Sequence, residues 1–171
     1  MKYIQLSRGY RAIVDDEDYE RVSKWIWTYA PNAGDKVKYA VTQIITACCG
    51  TRKRIKLHRF IMDAKPGQEV DHINADGLDN RKSNLRFCSR AQNLANKKKM
   101  SGNRKYKGVA AVTGSSKWQA NIGWKKKRIY LGCFNTQEEA ARAYDDKAME
   151  LYGEFARFNL RPSGVKNDFK N

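Results

Sequence analysis

One short stretch, VDHINADGLDNRKSNLRFCSRAQN at residues 70–93, concentrates the side chains that could hydrolyse a phosphodiester bond. Asp71 and His72 are adjacent there, and Asn84 and Asn93 follow. A carboxylate oxygen and an amide oxygen suit Mg²⁺ or Mn²⁺ better than zinc. A neutral imidazole can take a proton from an attacking water. The stretch therefore predicts a metal-assisted hydrolytic centre, with Asp71 and Asn93 as metal ligands and His72 as general base.

The elements predicted around these residues are a strand, a polar loop, a second strand and a helix. They cover residues 69–73, 74–83, 85–88 and the segment that begins after Ser89, which can cap the helix. A hairpin followed by a helix can bring Asp71 and Asn93 to one point. Successive strand residues point to opposite faces, so the strand must end or bend at His72 for it to reach the same phosphate. Asn84 is placed to brace the loop through bonds to the backbone.

The charge of the chain predicts a polyanionic partner. Lys and Arg number 34 against 18 Asp and Glu, a net charge of +16. Both halves share the surplus, so the whole chain should be attracted to double-stranded DNA. A membrane is not expected, because the sequence has no apolar run near 18 residues. Without a signal peptide, the protein is expected in the cytoplasm, with its four cysteines reduced and buried. The absence of a CxxC pair argues against a zinc knuckle.

A second module is predicted at residues 106–160. Three strand-like runs, at 106–112, 117–124 and 128–134, precede a helix that opens with the capping box of Thr136 and Glu139 and stops at Gly153. A sheet with one helix across its back leaves a polar, basic face that could enter a major groove. A merely solvated sheet face is the alternative.

The first 57 residues give no comparable signal. They read as short strands and a helix that begins at the acidic run 15–18, with an apolar stripe of Tyr19, Val22, Trp25 and Ile26. The acidic run favours a helix N-terminus over a metal site. The basic segment 52–56 either touches phosphates or solvates a strand edge.

The segments VDHIN, DNR, NLR and QN resemble the HNH endonucleases, and more narrowly those of the phage and intron-encoded homing type. The resemblance implies a ββα-metal fold at about residues 68–99, with Asp71 and Asn93 on the metal, His72 as base and Asn84 bracing the loop. The third letter of the HNH pattern is Asn here rather than His, as in the homing branch. His58, within LHR, matches an upstream family residue. An accessory catalytic or phosphate role and a structural hydrogen-bonding role both stay open for it.

The segments KYKGV, KWQANI, RIYLGCF and TQEEAARAYDDKAMELYGEFARFNL resemble the AP2/ERF DNA-binding domain over about 55 residues. The resemblance implies DNA-facing roles for Lys107, Asn121, Arg128 and Tyr130. Ala110, Val112 and Gly123 stand where plant members usually carry arginine. We therefore expect a different target, or more contact with the DNA backbone than with bases.

These patterns together predict an α+β protein. Its expected segments are a β-rich N-terminus (1–57), an HNH core (58–99), a basic linker (100–105), an AP2-like domain (106–160) and a tail (161–171). The predicted function is site-specific, metal-dependent DNA cleavage by a monomer or weak dimer of phage or mobile-element origin, with no protein partner evident. A transcription regulator with a degenerate HNH scaffold is the alternative, and magnesium-dependent cleavage separates the two.

Overall fold

The computed structural model describes residues 1–31, 38–45, 51–97, 105–125 and 127–160. The described strands are β1 Lys2–Gln5, β2 Arg11–Val14, β3 Thr28–Pro31, β4 Lys38–Ile45, β5 Arg52–Lys56, β6 Glu69–His72, β7 Leu85–Cys88, β8 Val109–Ala111, β9 Trp118–Trp124 and β10 Lys127–Phe134. The helices are α1 Asp16–Ser23, α2 Leu57–Ile61, α3 Arg90–Asn96 and α4 Gln137–Tyr152. The α+β class is confirmed, and the chain divides into two units, Met1–Asn93 and Leu94–Asn171.

In the part of the first unit that the structure describes, three small antiparallel sheets surround one apolar core. β1 pairs with β2, β4 lies between β3 and β5, and β6 pairs with β7. The core side chains are Ile4, Leu6, Ala12, Val14, Val22, Trp27, Ala40, Leu57, Ile61, Val70 and Leu85. Apart from Leu6 and Trp27, which lie in connections, they come from β1, β2, α1, β4, α2 and the β6–β7 hairpin. The N-terminal strands and the hairpin are therefore stabilised by the same buried surface.

Helix α1 is shorter than its apolar pattern predicts. It begins in the acidic run, as expected, but ends at Ser23, before Trp25 and Ile26. Ile26 is 86% exposed, whereas Trp27 is buried and donates its indole N–H to the carbonyl of Val22. The predicted stripe through Trp25 and Ile26 is therefore wrong, because Trp27 folds back onto the core and closes the helix.

The second unit is a three-stranded antiparallel sheet in the order β10–β9–β8, backed by α4. The predicted capping box is present: Thr136 accepts from the N–H of Glu139, whose carboxylate accepts from the N–H of Thr136. Buried Ala140 and Ala141 let the helix approach Ala120 and Val109 of the sheet closely.

Several predictions fall on other parts of the chain. Most of the linker at 100–105, the tail at 161–171 and the pair Cys48 and Cys49 lie outside the described residues. Cys88 is half-buried and Cys133 is exposed, so the expectation of buried thiols is wrong for Cys133. None of the helices in the described ranges is both long and apolar enough to cross a bilayer.

Candidate nuclease centre and nucleic-acid interface

The β6–β7 hairpin sorts the predicted catalytic residues onto two faces. Glu69 and Asp71 alternate with Val70 and His72 along β6, and the register sets Asp71 opposite Arg86. Val70 belongs to the core, so the opposite face, that of Glu69 and Asp71, is the one away from the core. His72 shares the core-side face of the strand. His72 is the last residue of β6 and still pairs with Leu85, so Asp71 and His72 lie on opposite faces of the strand.

Helix α3 is tied to the Asp71 face by one hydrogen bond. Asn93 Nδ2 donates to Glu69 Oε2 at 2.8 Å. Asp71 is buried at 7% exposure, and its Oδ2 lies 3.3 Å from Nη2 of Arg86. Burial raises the pKa of Cys88 to about 11, with Asp71 and Glu69 adding to the effect. The carboxylates of Glu69 and Asp71 therefore both contribute to the raised pKa of Cys88, which pairs with Glu69 across the hairpin.

His72 is held by an asparagine that the sequence analysis did not single out. Its Nε2 lies 3.3 Å from Oδ1 of Asn80, and Asn80 is 1% exposed. The amide Nδ2 of Asn80 donates to the carbonyl of Gly77, so its oxygen faces the imidazole. Nε2 is then the donor of the neutral ring, and Nδ1 has the acceptor role. Burial lowers the pKa of His72 to about 4, although Asn80 and two nearby aspartates oppose it.

Two more rings enclose His72. His58 of α2 meets it edge to face, with ring centroids 4.6 Å apart, and Tyr39 of β4 lies 5.9 Å away. Burial, followed by the charges of His72 and Lys56, holds the pKa of His58 well below its usual value. Both imidazoles are therefore neutral at pH 7, and His58 lies against the predicted base.

The loop between β6 and β7 is closed by Asn84, as the sequence analysis expects. Its Oδ1 accepts from the N–H of Asn74 at 3.0 Å, and its Nδ2 donates to Asn74 Oδ1 at 3.0 Å and to the carbonyl of Asp79 at 2.8 Å. The carboxylate of Asp79 accepts two bonds from Arg81. Burial alone would raise the pKa of Asp79, but the Arg81 contacts outweigh burial and lower it.

Strand β2 fixes the same loop from the N-terminal side. The N–H of Ile13 donates to the carbonyl of Leu78, and the N–H of Asn80 donates to the carbonyl of Ile13, both at 2.8 Å. Asp15 accepts from the N–H of Lys82. The N-terminal segment therefore helps to set the position of Asn80, the residue that orients His72.

The oxygen atoms of Asp71 on β6 and Asn93 on α3 are of the kind that a hard divalent cation binds. Within the described ranges, no cluster of three or more His, Cys, Asp and Glu side chains could hold a metal. Asp71 and Asn93 instead offer one carboxylate and one amide oxygen. Mg²⁺ sites of this kind use few protein ligands and leave positions for water and substrate phosphate. The residues present therefore fit such a cation, with Asp71 and Asn93 as the groups that would hold it.

The second unit presents three of its four predicted DNA-facing residues on one sheet face. Arg128 and Tyr130 alternate along β10, and Tyr130 pairs with Asn121 of β9. Arg128 and Tyr130 are exposed, whereas Asn121 is half-buried. The opposite face packs on α4 through Ala120 and Ile122, so the sheet has the predicted division into a core face and a polar face.

Lys107 has a different environment from those three. Its ammonium donates to the carbonyls of Leu94, Ala95 and Lys97, at 3.2, 2.6 and 3.3 Å. Burial, with a contribution from the charge of Arg157, lowers the pKa of Lys107 to about 8. Lys107 therefore donates hydrogen bonds to backbone carbonyls at the end of α3. The place of Lys107 in the sequence did not indicate this role.

Sequence reasoning missed three residues of the nuclease centre. Asn80 orients His72, Arg86 pairs with Asp71, and Glu69 holds Asn93. Glu69 could have been identified from the sequence, because residues two apart on a strand share a face and Asp71 was already a candidate. The partners of Asn80 and Arg86 depend on loop closure and strand register, which the sequence alone does not give.

Comparison with known proteins agrees with this geometry. The HNH endonuclease family model matches residues 56–95. An uncharacterized HNH endonuclease of Acanthamoeba polyphaga mimivirus is 31% identical over 158 residues, which cover 89% of this chain and 76% of the viral protein. This chain therefore belongs to the HNH endonuclease family.

A partial segment is also similar to plant AP2 proteins. The ethylene-responsive transcription factor WRI1 of Arabidopsis thaliana is 48% identical over 58 residues, 33% of this chain and 14% of that factor. APETALA2-like protein 2 of rice is 41% identical over 69 residues, 39% of this chain and 16% of the rice protein. The chain thus spans about a seventh of these plant factors, and the likeness concerns that segment alone.

Proposed function

We propose that the protein is a metal-dependent, site-specific DNA endonuclease of the homing type, anchored on the duplex by its AP2-like unit. The observation that carries the proposal is the hydrogen bond between Asn93 and Glu69, because it ties helix α3 to the face of β6 that carries Asp71. Two oxygen ligands and an adjacent buried imidazole are the groups that phosphodiester hydrolysis needs. Viral or mobile-element origin, with action inside the host cell, belongs to the same proposal and is supported by the mimiviral relative.

His72 acts as the general base. With Nε2 donating to Asn80, Nδ1 takes the proton of the attacking water. The low pKa of His72 keeps the ring neutral, and therefore able to accept a proton, across the neutral range. Asn80 fixes the tautomer and His58 packs against the ring, so the base is oriented before DNA arrives.

Asp71 and Asn93 would hold the cation, which when bound neutralises charge on the scissile phosphate and on the leaving oxygen. Arg86 pairs with Asp71, with Nη2 3.3 Å from Oδ2, and so places a positive charge beside the carboxylate that would hold the cation. Asn84 maintains the loop geometry rather than binding metal, because its amide is used by Asn74 and Asp79.

The second unit supplies affinity for duplex DNA. Arg128 and Tyr130 are exposed on one face beside Asn121, and Lys125 and Lys127 flank the same hairpin. Arg reads guanine and Asn reads adenine in a major groove. Gly123 lies in register with Arg128 and adds no side chain, so this face offers few base-reading groups and favours backbone contact.

Cleavage of supercoiled plasmid carrying candidate native sites, with Mg²⁺ or Mn²⁺, tests the proposal. We expect metal-dependent nicking that is lost in His72→Ala and Asn93→Ala, with DNA binding retained in a gel-shift assay. Nicking is expected first because the described residues hold one such centre. Arg128→Ala is the matched control, because it should weaken binding and leave the cleavage rate at saturating protein unchanged.

A transcription regulator is the second candidate, favoured by the similarity to plant AP2 proteins. Tight binding of cognate DNA without cleavage by the wild type, with either metal, would establish that reading and overturn the nuclease. Loss of binding together with cleavage in His72→Ala would instead indicate a folding defect, which circular dichroism detects.

A further inference from the structure

The side chain of Asn93 has two chemically different ends, and only one of them can bind a cation. The amide oxygen is a ligand, whereas the NH₂ group is a donor that repels a metal. A 180° turn about the last side-chain bond exchanges the two ends with almost no change in shape. A site that depends on an asparagine therefore needs a neighbour that decides which end faces the metal.

Glu69 is that neighbour. Its Oε2 accepts the hydrogen bond of Asn93 Nδ2 at 2.8 Å, and both groups are partly buried. An ionised carboxylate has no hydrogen to donate, so it accepts the NH₂ end and disfavours the oxygen end. The contact holds the amide in the one orientation that leaves its oxygen turned away from Glu69.

The position of Glu69 on β6 also suits this role. Glu69 and Asp71 are two residues apart on a strand, so both project from the same face, with Cys88 and Arg86 as their cross-strand neighbours. Helix α3 follows β7, and its residue Asn93 meets this face through the hydrogen bond to Glu69. Glu69 reaches Asn93 from the same row of side chains that carries Asp71.

We propose that Glu69 is a positioning residue of the metal site, which orients the Asn93 amide so that its oxygen is the ligand. This inference rests on the proposed function, because it takes Asn93 as a ligand. It adds a residue outside the HNH motif letters to the site, and it gives Glu69 a role distinct from that of a ligand or of a source of negative charge.

A mutant cycle with Mn²⁺ binding as its readout, followed by electron paramagnetic resonance without DNA, separates these roles. Glu69→Ala should weaken Mn²⁺ binding about tenfold, in the range for residues that orient metal ligands. Glu69→Gln removes the charge and can donate as well as accept, so it no longer decides which end of the Asn93 amide it faces and should also weaken Mn²⁺ binding. Glu20→Ala, at an exposed glutamate of α1, is the charge-matched control and should leave binding unchanged.

The decisive arm repeats Glu69→Ala in an Asn93→Asp background. A carboxylate presents oxygen at both ends and needs no orientation, so the loss of Glu69 should no longer weaken Mn²⁺ binding there. An equal loss in both backgrounds would mean that Glu69 acts through its charge or through stability, and it would overturn the inference.

Failure of the inference differs from failure of the proposed function. If Asn93→Ala weakens Mn²⁺ binding and Glu69→Ala does not, only the positioning role is wrong. If the wild type binds no Mn²⁺, or Asn93→Ala binds it as well as the wild type, the metal site itself is wrong and the inference fails with it. Urea unfolding of each variant identifies any that are not folded, and Glu69→Gln, nearly isosteric, remains as the test in that case.

Discussion

Replacement of Asn84 by alanine should destabilise the first unit, Met1–Asn93, and slow cleavage together. The side chain is 5% exposed and makes three hydrogen bonds, two with Asn74 and one with the carbonyl of Asp79. At a net value of about 1 kcal/mol each, their loss corresponds to about 3 kcal/mol of unfolding free energy. Because the loop also carries Asn80, a displacement of about 1 Å would slow cleavage on the order of a hundredfold.

Urea unfolding followed by tryptophan fluorescence measures the stability, and plasmid nicking measures the rate. Asn84→Asp keeps the volume and the acceptor for the N–H of Asn74 but loses both donor bonds, so it should be destabilised nearly as much. Asn135→Ala, at an exposed position after β10, should change stability by less than about 0.5 kcal/mol. A loss below about 1 kcal/mol in Asn84→Ala, or wild-type stability in Asn84→Asp, would refute the bracing role.

Three further outcomes are expected. The pKa of His72 is about 4 in the folded protein against 6.5 unfolded, so the native state binds fewer protons and its stability is lost as pH falls. Urea unfolding in EDTA should show a loss of at least about 2 kcal/mol between pH 7.5 and 5, since His72 contributes about that much and the lowered pKa of His58 acts in the same direction; a flat profile would contradict the burial argument. Gly108→Ala should cost more than about 3 kcal/mol in the same assay, because Gly108 has φ +77° and a Cβ would overlap Tyr144, whereas Gly114→Ala, with φ +74° in open space, should cost about 1 kcal/mol. Equal losses in the two glycine variants would show that backbone strain alone sets both. Arg128→Ala should lower the slope of log affinity against log salt by about 1, and an unchanged slope would remove Arg128 from the DNA interface.

The elements around the nuclease centre follow closely from local sequence. The two short strand-like runs, the polar run between them and the serine before α3 predict the hairpin and the helix, because each depends on neighbours within a few residues. The capping box of α4 is a local signal of the same kind. Helix α1 is the exception: its apolar stripe suggested further turns, and tertiary packing of Trp27 ended it early.

The sequence by itself determined which groups are available for chemistry: the Asp71–His72 pair, the two asparagines that follow and the surplus of positive charge. Residue type and short-range spacing suffice for that, since they set the donors, the acceptors and the net charge. Only the tertiary structure decided which partner each group has. Asn80 holds His72, Glu69 holds Asn93, and Lys107 bonds carbonyls at the end of α3. Those pairings depend on strand register and on contacts between residues far apart in the chain, and a shift of one residue in register would send each side chain to the opposite face.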